Sequence, residues 1–231
     1  MKKSIVVVDD HVSIRDMLVW ILMREPGYQV IGEAGSGIDA LRVCNASQPD
    51  LLILDLALPC ISGPEVLRRV RKAAPATRVL IYSGSCNLAL IRDALMERPH
   101  GYVEKLEGLT ILRRAIASVA GGGTYYSPVA HHVMCETVGE RRESHDLSPR
   151  EREVLQMIAE GRSSKEISSL LQLALKTVEN HRANLMAKLN MHDVASLTRY
   201  AARTGIVALI CFPRPGFHGS KARSTGAPAR R

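Results

Sequence analysis

Four of the five short apolar runs in the first half of this 231-residue chain stop at a residue with chemistry to offer. Ser4-Ile5-Val6-Val7-Val8 meets Asp9-Asp10, Leu51-Leu52-Ile53-Leu54 meets Asp55, Val79-Leu80-Ile81-Tyr82 meets Ser83, and Gly101-Tyr102-Val103-Glu104 meets Lys105. Only Tyr28-Gln29-Val30-Ile31 ends without a reactive group. Runs this short and this rich in Val and Ile read as strands buried on both faces. The stretches between them are long enough for helices, so the repeat predicts an α/β doubly wound, parallel, five-stranded sheet. Ligands of such sheets sit at the carboxyl ends of the strands. Three carboxylates, a hydroxyl and an ammonium should therefore converge on one edge.

That set has a chemical logic. Clustered carboxylates repel one another and need a cation, and an all-oxygen site suits Mg²⁺. Asp55 is an acceptable nucleophile toward a phosphoryl group. The cation and Lys105 would offset charge on the phosphoryl oxygens, and Ser83 would donate a hydrogen bond to them.

The pattern resembles the receiver domain of bacterial two-component response regulators over residues 1–120. The resemblance is carried by Asp9-Asp10, by Asp55 followed by Leu56-Ala57-Leu58-Pro59 and Gly63, by Ser83-Gly84, and by Gly101-Tyr102-Val103-Glu104-Lys105. It implies a flavodoxin-like fold in which Asp55 takes a phosphoryl group from a histidine kinase. It further implies that Asp10, Asp55 and the Ala57 carbonyl bind Mg²⁺ directly, that Asp9 acts largely through water, and that Ser83 and Tyr102 shift on phosphorylation.

Charge divides the chain. Residues 148–211 carry nine basic against six acidic side chains, and residues 212–231 carry five against none. A polyanionic partner for the last third is the natural reading. The five cysteines form no CxxC pair, which argues for a reducing, cytoplasmic setting rather than a disulfide framework. No stretch approaches the roughly 20 apolar residues of a membrane span. With one Trp and two Phe, aliphatic side chains must fill the core.

The Gly121-Gly122-Gly123 run ends the first unit, and residues 121–146 read as a linker with a short helix near residues 129–138. The adjacent His131 and His132 cannot share a helix face and read as solvated. Residues 147–211 then form a small all-α unit. Ser148, Pro149 and Glu151 make a helix start with a capping box, and Ser163 or Ser164 starts a second helix. A third helix runs over residues 176–189, with Val178, Leu185 and Leu189 inward, and a fourth over residues 193–203. Short helices joined by tight turns suggest a helix-turn-helix.

Residues 147–207 resemble the LuxR-type DNA-binding domain. The resemblance rests on Leu147-Ser148-Pro149-Arg150-Glu151-Arg152-Glu153-Val154-Leu155, Gly161, Lys165-Glu166-Ile167, Lys176-Thr177-Val178-Glu179-Asn180-His181-Arg182 and Lys188-Leu189. Together the two halves imply a response regulator of the NarL/FixJ subfamily. On the third helix Glu179, Asn180 and Ala183 share the outer face, where Asn180 could pair with adenine and Glu179 accept from cytosine. Lys176, Thr177, Arg182 and Lys188 are placed for phosphates of double-stranded DNA. The resemblance implies that the fourth helix, through Val194, Leu197, Thr198 and Ala201, supplies the contact of a DNA-bound homodimer; packing within the domain is the alternative reading of that stripe. The tail at residues 212–231 should be disordered and could strengthen DNA binding without adding specificity.

Three positions depart from the family pattern. Arg98-Pro99 stands where Gly-Ala is usual before the fifth strand, so Arg98 should bear a steric cost in a left-handed conformation. Ser83 replaces the commoner Thr, and Ala174 replaces a Ser just before the third helix, removing one cap. Cys60, close to Asp55 in sequence, reads as an inert thiol rather than a redox site. Two rivals to a phosphorylation-controlled transcription factor are a constitutive DNA binder with a receiver-like dimer module and, more remotely, a phosphohydrolase.

Overall fold

A computed structural model of the protein describes residues 2–136 and 147–207. Its N-terminal unit alternates strand and helix: β1 (Lys3–Val8), α1 (Val12–Met23), β2 (Tyr28–Ala34), α2 (Gly37–Ser47), β3 (Leu51–Leu54), α3 (Gly63–Ala73), β4 (Arg78–Ser83), α4 (Leu88–Met96), β5 (Gly101–Glu104) and α5 (Leu109–Ala120). All strand pairs are parallel, in the order β2-β1-β3-β4-β5, with a sixth strand, β6 (Tyr125–Tyr126), beside β5.

The alternation of a strand serves two cores at once. Val6, Val8, Leu52, Leu54, Val79 and Ile81 face one side with α2, α3 and α4, and that cluster continues into the C-terminal helices. Ile5, Val7, Leu51, Ile53, Leu80, Tyr82 and Val103 face the other side, against Leu18 and Leu22 of α1 and Leu112, Ile116 and Val119 of α5. These central residues are almost wholly buried, so aliphatic side chains do fill the interior.

The segment read as a linker departs from that reading in its first half. Tyr125 and Tyr126 join the sheet, and α6 (Pro128–Glu136) packs on α4, burying Ala130 and Val133. The Ser127 N–H continues the ladder onto the Tyr102 carbonyl at 3.0 Å. Residues 137–146 and the basic tail at residues 212–231 lie outside the described residues.

The C-terminal unit has four helices: α7 (Pro149–Ala159), α8 (Ser164–Leu171), α9 (Leu175–Leu189) and α10 (Val194–Arg203). Capping boxes open α7, through Ser148 and Glu151, and α8, through Ser163 and Glu166. Asp193 caps α10 by accepting from the Ser196 N–H at 2.8 Å. Helix α9 starts at Ala174 with no side-chain cap. Arg98 does sit at φ 50, past the end of α4, in a conformation disfavoured for a residue with a Cβ. Among the described residues no helix is long and apolar enough to cross a membrane.

Candidate functional site

The site residues reach the sheet edge because each continues its strand's hydrogen bonding by one step. The Asp9 N–H donates to the Ala34 carbonyl at 3.1 Å, Asp55 to Val8 at 2.9 Å and Lys105 to Ser83 at 2.8 Å. Asp9 and Asp55, adjacent beyond the paired ends Val8 and Leu54, come side by side.

Lys105 bridges them. Its Nζ lies 2.6 Å from Asp9 Oδ2 and 3.0 Å from Asp55 Oδ2. The other oxygen of each acid accepts a backbone N–H: Asp9 Oδ1 from His11 at 3.0 Å, and Asp55 Oδ1 from Leu56 at 2.7 Å. Both acids are buried. Burial pushes the Asp9 carboxyl up, Asp55 adds to this, and Lys105 opposes it. Burial alone would lower Lys105, but Asp55 and Asp9 outweigh it and hold the ammonium above its usual value.

Asp10 stands at the rim, its side chain 35% exposed. Ligand atoms of Asp9, Asp10, Asp55 and His11 all lie within 4.8 Å of one another. Three crowded carboxylates, of which only Asp9 and Asp55 are bridged by the Lys105 ammonium, fit a divalent cation, and the predominance of oxygen donors suits Mg²⁺. His11 was not singled out from the sequence, although it directly follows the acid pair. Its Nδ1 lies 2.6 Å from Asp10 Oδ1.

Ser83 is fully buried at the end of β4, with its Oγ accepting from the Ser85 N–H at 3.3 Å. Ala57 is half-buried in the turn after Asp55. Gly63 lets that turn fold back, because a Cβ there would lie 2.6 Å from the Asp55 carbonyl oxygen. Tyr102 is fully buried, and its hydroxyl has no hydrogen-bond partner among the described residues. Burial, with lesser effects of Glu104 and Asp55, raises its ionisation far above the usual range. The Cys60 thiol is buried and likewise raised, chiefly by burial, which suits an inert group.

The second set lies on α9. Val178, Leu185 and Leu189 are buried, while Lys176, Glu179, Asn180 and Ala183 are exposed. Thr177 and Arg182 are half-buried, and Arg182 donates to Ser164 Oγ at 3.2 Å. Lys188, expected at phosphates, has a partner within the domain. Its ammonium is 2.8 Å from Glu151 Oε2, so it ties α9 to the start of α7. Two further residues gave no sequence signal: Gln156 and Glu160 of the C-terminal unit hydrogen-bond to the turn after Asp55.

Comparison with known proteins identifies the family of both units. Residues 5–117 match the response regulator receiver domain, and residues 145–201 match the bacterial regulatory proteins of the luxR family. The transcriptional regulatory protein MctR of Rhizobium johnstonii is 34% identical over 211 residues, covering 90% of this chain and 97% of MctR. The response regulator UvrY of Escherichia coli is 31% identical over 207 residues, covering 88% and 95%. A crystal structure of a LuxR-family two-component response regulator from Aurantimonas superposes with a TM-score of 0.55 at 31% identity, covering 61% of this chain and all of that one. The chain belongs to the two-component response regulators of the NarL/FixJ type, transcriptional regulators with a receiver domain and a LuxR-type helix-turn-helix domain.

Proposed function

We propose that Asp55 is the phosphoacceptor of this regulator and that its phosphorylation by a histidine kinase changes how the C-terminal domain engages DNA. The observation that carries the reading is the bridge from Lys105 Nζ to Asp9 and Asp55 at 2.6 and 3.0 Å. That bridge supports the reading because it sets a positive charge against two buried acids, of which Asp55 is the one assigned here to the phosphoryl donor.

In this reading Asp10, Asp55 and the Ala57 carbonyl would hold Mg²⁺, with Asp9 acting largely through water, and the ion would supply charge neutralisation for the phosphoryl oxygens. A carboxylate oxygen of Asp55 attacks phosphorus. The new O–P bond forms as the P–N bond to the kinase imidazole breaks, and the released imidazole takes up a proton. Lys105 offsets charge on the transferred group, and Ser83 donates a hydrogen bond to it. Tyr102 follows Ser83. The acyl phosphate shifts the population between two arrangements of the protein, because its contacts are better in one of them.

On the DNA side, Glu179, Asn180 and Ala183 address base edges in the major groove, with Lys176, Thr177 and Arg182 at phosphates. Two copies bind a two-fold site, with the exposed Val194 of α10 near the pairing surface. A reducing, cytoplasmic setting fits the unpaired Cys44, Cys60, Cys86 and Cys135.

The test is chemical. The chain is incubated with a small phosphodonor and Mg²⁺, reduced with borohydride at the acyl phosphate and mapped by mass spectrometry. The modification is expected at Asp55. Labelling at another residue overturns the assignment.

A further inference from the structure

The turn that follows Asp55 is completed by the DNA-binding domain. Within residues 56–62 the Pro59 carbonyl accepts from the N–H of Gly37 at 3.3 Å and of Ile61 at 2.8 Å, and the Leu56 carbonyl accepts from Gly63 at 3.0 Å. Cys60 sits in the left-handed region, at φ 69. The Leu58 carbonyl and the Cys60 N–H find partners about a hundred residues away, on the last turn of α7 and its cap. Gln156 Nε2 donates to the Leu58 carbonyl at 2.8 Å. The Cys60 N–H donates to both carboxylate oxygens of Glu160 at 3.1 Å. Gln156 Nε2 also donates to Glu160 Oε1 at 2.8 Å, so the two side chains form one unit.

The surroundings reinforce this seat. Glu153 of α7 pairs with Arg69 of α3, and Arg152 lies 3.6 Å from Asp93 of α4. Gly205, after α10, packs on Asn87, where a Cβ would lie 2.8 Å from Asn87 Oδ1. Asn87 caps α4 by accepting from the N–H groups of Ala89 and Leu90, in the loop that follows Ser83. The C-terminal domain thus touches two of the loops that leave the phosphoryl site, those after β3 and β4. The exposed face of α9 is not part of this seat, so docking does not act by covering the DNA reader.

We propose that Gln156 and Glu160 are positioning residues for the chemistry at Asp55: through them the docked DNA-binding domain holds the 56–62 turn, with the Ala57 carbonyl, in its unphosphorylated arrangement. The inference rests on the reading of Asp55 as phosphoacceptor. The turn is closed by its own hydrogen bonds, so a displacement of Leu56 or Ala57 toward a phosphoryl group carries Leu58 and Cys60 with it. Those two groups then leave their partners on α7. Coupling of this kind is reciprocal. Phosphoryl loading weakens docking, and docking weakens phosphoryl loading by the same factor.

The experiment measures the affinity of the full chain for beryllofluoride, a phosphoryl mimic, in the presence of Mg²⁺. Titration calorimetry gives the constant and fluorine NMR confirms the bound species. Glu160→Ala removes the acceptor from the Cys60 N–H and is expected to tighten beryllofluoride binding about tenfold. Glu160→Gln keeps an oxygen that accepts from that N–H and should stay within about twofold of wild type. Gln156→Ala should shift binding in the direction of E160A, which keeps the test available if E160A folds poorly. Tightening absent from both alanine variants overturns the inference, as does an E160Q shift as large as that of E160A. Failure of the underlying reading looks different: the wild-type chain then binds no beryllofluoride, or Asp55→Asn binds it as well as wild type does.

Discussion

Lys105 Nζ lies 3.0 Å from Asp55 Oδ2, and fifty residues of chain separate the two. The same ammonium is 2.6 Å from Asp9, whose carboxyl is already raised by burial and by Asp55. Lys105→Met leaves two buried acids facing each other without their cation. The variant should lose about 2 kcal/mol in metal-free buffer, and Mg²⁺ should restore most of it by taking over the neutralisation. Urea unfolding with and without Mg²⁺ makes the comparison. An equal loss in both buffers contradicts the shared-cation account.

The hydroxyl of Tyr102 is buried without a partner among the described residues. Removing an unsatisfied polar atom relieves a desolvation penalty. Tyr102→Phe should therefore leave stability unchanged or raise it by about 1 kcal/mol, read from the denaturant midpoint. A clear loss of stability would mean that the hydroxyl does have a partner in solution.

Glu151 is buried and joins two structural roles: it closes the capping box of α7 and pairs with Lys188 of α9. Burial alone would raise its carboxyl. Lys188, the Ser148 N–H and the Ser148 hydroxyl outweigh burial and hold it below its ordinary value of 4.5. A folded-state value that is depressed contributes stability above the unfolded value, and the contribution disappears as pH falls through the folded one. Glu151→Gln should therefore be less stable than wild type by about 1 kcal/mol near neutrality, half-exposed Lys188 contributing little of it. The gap should close on acidification below the ordinary carboxylate range. Thermal unfolding of both chains as a function of pH tests the convergence, and a gap that widens in acid is the contrary result.

The proposed division on the outer face of α9, between reading bases and holding phosphates, is open to test. Asn180 and Lys176 are both exposed there. Asn180→Ala should reduce discrimination between a duplex that the protein binds specifically and its single-base variants by about 1–3 kcal/mol. Lys176→Ala should weaken all sequences alike and lower the salt dependence by about one counterion. Binding isotherms on matched and mismatched duplexes at several salt concentrations distinguish the two. Equal effects of both variants on every duplex would remove Asn180 from base contact.

Much of this architecture is legible residue by residue. The acids, Ser83 and Lys105 follow directly on apolar runs, so the parallel βα repeat delivers them to one edge. Ser148 and Glu151 announce the start of α7 three residues apart, and the buried positions of α9 repeat at helical spacing. The rest depends on partners remote in the chain. Tyr125 and Tyr126 become a strand only because β5 offers a free edge, and α6 is held by Ala130 and Val133 against α4. The pairing of Lys188 with Glu151, across 37 residues, has no local signature either. The pairing of Gln156 with Leu58 spans 98 residues and leaves no local pattern.

The central claim is that a phosphoryl group on Asp55 controls binding to DNA. Its most direct test is the DNA affinity of the full chain and of Asp55→Asn, each measured with Mg²⁺ before and after treatment with a small phosphodonor. The account predicts that the donor changes the affinity of the wild-type chain and leaves that of the variant where it was. A donor response of equal size in the variant would contradict it.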